Sequence, residues 1–62
     1  MTPRLAAEFV HNAGTPLGAW DLADFAGCTL HAARFHLEAA DVFGWVRGYG
    51  GLYVPWGSGW AK

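Results

Sequence analysis

A chain of 62 residues with a formal charge of −1 reads as one domain, neither basic enough to be held on nucleic acid by charge alone nor acidic enough to imitate it. A domain of this size buries only about 60% of its unfolded surface, yet 53% of the residues are hydrophobic and 16% aromatic. Four tryptophans exceed what so small a core holds, so some belong at the surface, where tryptophan favours an interface.

The first elements follow from capping residues and periodicity. Thr2-Pro3 is a helix start, threonine as N-cap and proline at the first helical position. Leu5, Ala6, Phe9, Val10 and Ala13 keep the 3.6-residue period, with Arg4, Glu8 and Asn12 opposite them, which predicts a helix over 3–13. Gly14 is its expected left-handed stop, and Thr15-Pro16 restarts the pattern. A second helix is predicted over 18–26, carrying Leu22, Ala23 and Ala26 toward the core and ending at Gly27. Trp20 is expected to cover the junction with the first helix. The only cysteine, Cys28, lies in the turn that follows; it excludes an intramolecular disulfide and reads as a small buried hydrophobe.

Thr29 is the N-cap of a third helix over 29–42, where Ala33, Leu37 and Ala40 form the apolar stripe and Leu30 extends it by one turn. Phe43-Gly44 ends it. Trp45-Val46-Arg47 and Leu52-Tyr53-Val54 read as two strands of a hairpin over 45–54, with Gly48, Gly50 and Gly51 in the turn. Alternation puts Trp45 and Arg47 on one face and Val46 on the other, and sets Leu52 and Val54 opposite Tyr53. Pro55, which has no N–H, is expected to end the pairing, leaving a loose glycine-rich tail over 55–62.

The run DLADFAGCTLHAARFHLEAAD, two helices joined by Gly27-Cys28, together with GWVRGYGGLYVPW after it, resembles a winged helix-turn-helix unit of the kind found in small phage, plasmid and bacterial regulators. The resemblance spans about 5–56. It implies a mainly α fold with a small β-hairpin: a three-helix winged helix-turn-helix whose third helix enters the major groove by its N-terminal half. The contact positions so implied are Thr29, Leu30, His31, Arg34, Phe35 and Glu38 on the third helix, and Arg47 and Tyr49 in the wing. Arg34 suits a bidentate contact with guanine, Thr29 or His31 a phosphate or base edge, and Phe35 a thymine methyl. Glu38 would face a polyanion, and Leu30 and Phe35 make this surface more apolar than most DNA readers. In the wing, an equal case holds for Tyr49 and Tyr53 packing across the hairpin while Arg47 is merely solvated.

Other chemistries find little purchase. His31 and His36 are five apart and His11 is on another helix, so no metal-ligand spacing arises. His36 falls where this motif wants an apolar residue, and is expected to be half-buried with a local hydrogen bond. The GYGG run joins strand to strand and is no phosphate loop. Asp21, Asp24, Glu38 and Asp41 read as solvated carboxylates without a common cleft, and a chain this short rarely builds a pocket of several hundred cubic ångströms. An enzyme, a metal and a cofactor are therefore not expected. No apolar run nears the ~20 residues that span a bilayer, and no signal peptide is evident, which points to the cytoplasm.

Two functions remain. One is a small sequence-specific DNA-binding transcriptional regulator, working as a dimer on double-stranded DNA because one copy offers few cations. The other is a winged-helix protein-interaction module, such as a phage-encoded inhibitor or adaptor docking on a larger protein complex through Leu30, Phe35, Tyr49 and exposed tryptophans.

Overall fold

In the computed structural model, which describes residues 1–57, the Thr2 hydroxyl accepts the Leu5 N–H at 3.1 Å and opens α1 (Pro3–Ala13). The chain then forms a short strand, β1 (Leu17–Gly18), before α2 (Ala19–Ala26). Gly18 has no side chain with which to cap that helix, so the Asp21 carboxylate reaches back and accepts the Gly18 N–H at 2.9 Å. Gly27, with φ of +68°, closes α2 in the left-handed conformation, and Thr29 Oγ1 accepts the Ala32 N–H at 3.0 Å to start α3 (Leu30–Val42). At the far end of α3, Gly44 N–H bonds the Asp41 carbonyl and Trp45 N–H the Ala40 carbonyl, both at 2.9 Å. That pair of bonds is the Schellman arrangement.

The hairpin consists of β2 (Val46–Tyr49) and β3 (Leu52–Pro55), antiparallel, with β1 on the other edge of β3. Only Gly50 and Gly51 form its turn, both with positive φ, as a two-residue hairpin of this twist requires. Gly48, expected in the turn, lies inside β2 opposite Tyr53. A Cβ there would stand 3.0 Å from the Tyr53 ring, so a glycine is what lets the ring cross the strand. Pro55 does not end the pairing either. It sits opposite Val46, and the Trp56 N–H donates to the Trp45 carbonyl at 3.2 Å beyond it. Val46 and Pro55 are thus a non-hydrogen-bonded pair, where a missing N–H costs nothing. The tail expected over 55–62 begins as part of the sheet; Trp60 and its neighbours from 58 lie outside the described residues.

The elements therefore make a mainly α chain with a small antiparallel sheet, an arrangement compatible with a winged helix. The third strand, β1, was not legible as one: Gly18 falls inside the helix expected over 18–26, and only pairing with β3 makes Leu17 and Gly18 a strand.

The core is built largely of small residues. Ala6, Ala7, Val10, Ala19, Leu22, Ala33, Leu37, Ala40, Val46 and Tyr53 are buried, and five of these ten are alanine. Alanine brings the helices close together but removes little apolar area from water per residue. Leu22, Leu37, Val10 and Val46 are the largest side chains fully enclosed. Several expected core residues turn outward instead. On α1 the buried stripe is Ala6, Ala7 and Val10, while Leu5 is exposed, Ala13 is exposed and Phe9 only packs against the edge of the core. On α2 Leu22 and Ala19 are inside, Ala23 is half-buried and Ala26 is exposed. Leu30 does not extend the α3 stripe; it is 52% exposed.

Because so few large side chains fill the core, truncating one is costly. Leu37→Ala should lower the unfolding free energy by about 2–5 kcal/mol, much of what a domain of this size has. Urea denaturation followed by tryptophan fluorescence will show a midpoint near zero denaturant for this variant, whereas an unmoved midpoint would mean that Leu37 is not a core residue.

Candidate functional site

The α3 helix turns its alanine–leucine stripe inward, so its opposite face is left to solvent. Thr29, Leu30, His31, Arg34, Phe35 and Glu38, the positions that the resemblance implied, are all exposed. His31, Arg34, Phe35 and Glu38 share a shallow depression of about 300 Å³. Phe35 is 63% exposed and meets the His36 ring edge-on at 5.3 Å. Thr29 spends one of its two acceptor lone pairs on the helix cap and keeps its O–H as a donor.

Glu38 is not directed simply at solvent. Tyr53 reaches across from β3 and its hydroxyl donates to Glu38 Oε2 at 2.6 Å. Burial, and then the bond to the Glu38 carboxylate, push the Tyr53 hydroxyl up from 10.0 to about 12. Asp41, one turn further along α3, accepts the Gly48 N–H at 3.3 Å. The two carboxylates are therefore turned toward the hairpin, and they line a common cleft of about 460 Å³ with Arg34, Tyr53, Trp20 and the Gly50–Gly51 turn. This corrects two expectations: acidic groups do converge, and a chain this short does form grooves of several hundred cubic ångströms, though open ones. A further groove of about 530 Å³ lies between α1 and α2, walled by Leu5, Phe9 and Phe25.

Trp20 also differs from expectation. It is 62% exposed, its ring lies over Gly18, and it borders the α3–hairpin cleft. The junction of α1 and α2 is covered by Phe9 and Phe25, stacked with centroids 4.6 Å apart.

In the hairpin, the two tyrosines face opposite ways: Tyr53 is opposite Gly48 and turned inward, Tyr49 is opposite Leu52 and exposed. They do not pack on one another. Arg47 is not merely solvated, since its guanidinium lies 4.5 Å from the Trp56 ring centroid and 5.9 Å from that of Tyr49.

The histidines have separate places. His11 Nε2 is 2.7 Å from the Trp45 carbonyl, which can only accept, so that nitrogen carries a proton and ties α1 to the start of β2. His36 is half-buried as expected, but its buried Nδ1 has no hydrogen-bond partner. Cys28 is partly buried against the core. Among the described residues no His, Cys, Asp or Glu group is clustered to hold a metal ion.

The contact that sequence reasoning missed is Tyr53 to Glu38. A signal was present: a two-residue Gly50–Gly51 turn forces Gly48 opposite Tyr53, and glycine opposite an aromatic leaves room for the ring to turn in. The bond has a pH consequence. The folded state holds Tyr53 protonated more firmly than the unfolded chain, so its contribution is complete below pH 10 and is lost as pH rises toward about 12. Urea unfolding across that alkaline range should show stability falling more steeply in the native chain than in Tyr53→Phe; parallel curves would mean the hydroxyl is not held in the folded state. Comparison with protein-family models, with curated proteins and with solved structures found no match for this chain.

Proposed function

We propose that this chain is a small winged-helix DNA-binding regulator that acts in the cytoplasm as a dimer, with α3 in the major groove and the hairpin beside the backbone. The observation that carries the reading is the unpacked face of α3, where Thr29, His31 and Arg34 stand exposed while the Gly50–Gly51 tip of the hairpin borders the same cleft as Arg34. A helix offered to solvent with a hairpin alongside is the geometry by which such domains meet a duplex. Glu38 and Asp41 accept hydrogen bonds from Tyr53 and Gly48 but keep their charge and line the same cleft as Arg34, so the electrostatic objection to this reading stands. Among the described residues no helix is long and apolar enough to cross a membrane.

The dimer follows from a count of cations. One copy brings Arg34 and Arg47 to a duplex, and each neutralised phosphate adds about −0.9 to the salt slope. A single copy thus gives a slope of about −2, and a pair about −4, with two half-sites read. A second reading is favoured by one observation: Leu30 and Phe35 lie exposed beside a single arginine. Such a surface suits a protein-interaction module, for instance a phage-encoded inhibitor or adaptor docking on a larger complex.

The test is fluorescence anisotropy of random-sequence duplex DNA titrated from low to physiological salt. The regulator binds at low salt with a slope near the dimer value, and Arg34→Ala weakens binding about tenfold, the loss of one good base or phosphate contact, with the melting temperature unchanged. No binding at low salt would sink the regulator and leave the docking module. Under that second reading Phe35→Ala releases a partner without loss of stability.

A further inference from the structure

We propose that the groove between α1 and α2 is the surface on which two copies of this chain associate about a two-fold axis. The groove measures about 530 Å³ and is walled by Leu5, Phe9 and Phe25, with Ala13 and Ala26 as the small residues of its lining. Phe25 stacks on Phe9 with ring centroids 4.6 Å apart and is still 73% exposed, so much of its ring stands open. Leu5, in the same lining, is 50% exposed. Two helices that leave a leucine and a phenylalanine in water across one hollow gain from whatever covers it.

The composition of the groove selects a second copy as the occupant. An interface about a two-fold axis uses one patch twice, so that patch must hold both the projecting groups and the room for them. Phe25 and Leu5 project, and the hollow beside Ala13 and Ala26 receives. The polar side chains are matched in the same way. Glu8 and Asn12 both line the groove, both are exposed, and they lie four residues apart on one face of α1. The carboxylate can only accept hydrogen bonds, whereas the amide has N–H groups to donate. An antiparallel crossing of α1 with the partner's α1 sets each Glu8 against the partner's Asn12, and it holds the two carboxylates about 6 Å apart along the helices. A face made for a strongly charged partner would carry an excess of one sign instead.

The area is sufficient for a modest dimer. One side of a body 29 × 21 × 19 Å spans roughly 400–600 Å², so two such sides together reach the ~1,000 Å² that a specific interface needs. Among the described residues no part of α3 or of the hairpin lines the groove, so pairing there leaves both α3 faces uncovered. The groove carries this interface without the duplex; only the prior expectation of two copies rests on the proposed function.

Sedimentation velocity on the whole chain, from micromolar to near-millimolar concentration, tests the assignment. The native chain should pass from monomer to dimer and stop there. Phe25→Glu should weaken association at least about tenfold, the order of one hot-spot residue, with an unchanged melting temperature in dilute solution. Should that variant fail to fold, as read by circular dichroism, Leu5→Glu carries the same expectation. Asn12→Asp, which sets a carboxylate against the partner's Glu8, should also weaken the dimer, and adding Glu8→Gln should restore it. A native chain that stays monomeric throughout, that grows past two copies, or that dimerises as well with Phe25→Glu and Leu5→Glu overturns the proposal. Titration with duplex DNA separates this outcome from the α3 reading. A salt slope that falls from about −4 to about −2 in Phe25→Glu supports both. A dimer of this kind that binds no duplex counts against the α3 reading alone, and a full slope kept by Phe25→Glu counts against this interface alone.

Discussion

The inward turn of Tyr53 is the contact on which the relation between the hairpin and the helices depends. Its strand is the middle one of the sheet, with β1 on one side and β2 on the other, so moving Tyr53 moves all three. The ring is accommodated because Gly48 stands opposite, and the hydroxyl is satisfied by Glu38. A buried phenol without that acceptor would leave an unsatisfied polar group, which costs on the order of 1–3 kcal/mol. The bond therefore holds the wing against the helix whose outer face carries Arg34, and in the proposed function it sets the angle at which the two meet a duplex.

The alanine-rich core gives this contact its weight. With half of the buried residues alanine, the helices pack closely but gain little from transfer of apolar area. Polar ties between elements matter more in such a domain than in a larger one. Asp41 to Gly48 and His11 to the Trp45 carbonyl join α3 and α1 to β2, and with Tyr53–Glu38 they connect the sheet to the helices it packs against. Large apolar side chains that do not fit inside are left on the surface, and they form the two faces on which function is proposed.

Those faces differ in chemistry. The α3 face mixes Arg34 and His31 with Leu30 and Phe35, and suits either a groove edge or a protein. The α1–α2 groove sets Leu5, Phe9 and Phe25 beside one carboxylate and one amide.

Much of the fold was legible in the sequence where the determining interactions are local. Thr2, Thr29, Gly14 and Gly27 bound their helices because a cap depends on residues within one turn, and Ala33, Leu37 and Ala40 marked the buried side of α3 because their spacing is helical. The six α3 positions that the resemblance implied are exposed as well, Leu30 among them against its place in the apolar stripe. What the spacing left open was how far each helix is rotated on the core. Leu5 and Leu30 are as apolar as Leu22, and only packing decided that they stay outside while Ala7 goes in. The same holds for β1, which exists only because β3 lies beside it, and for Pro55, whose place in a non-hydrogen-bonded pair is a matter of register. Sequence alone determined the three helices, the hairpin and the buried stripe of α3, since these rest on contacts a few residues apart. Tertiary structure decided which carboxylates meet the hairpin and which rings meet the arginines, since those partners are far apart in the chain and are brought together only when the sheet closes on the helices.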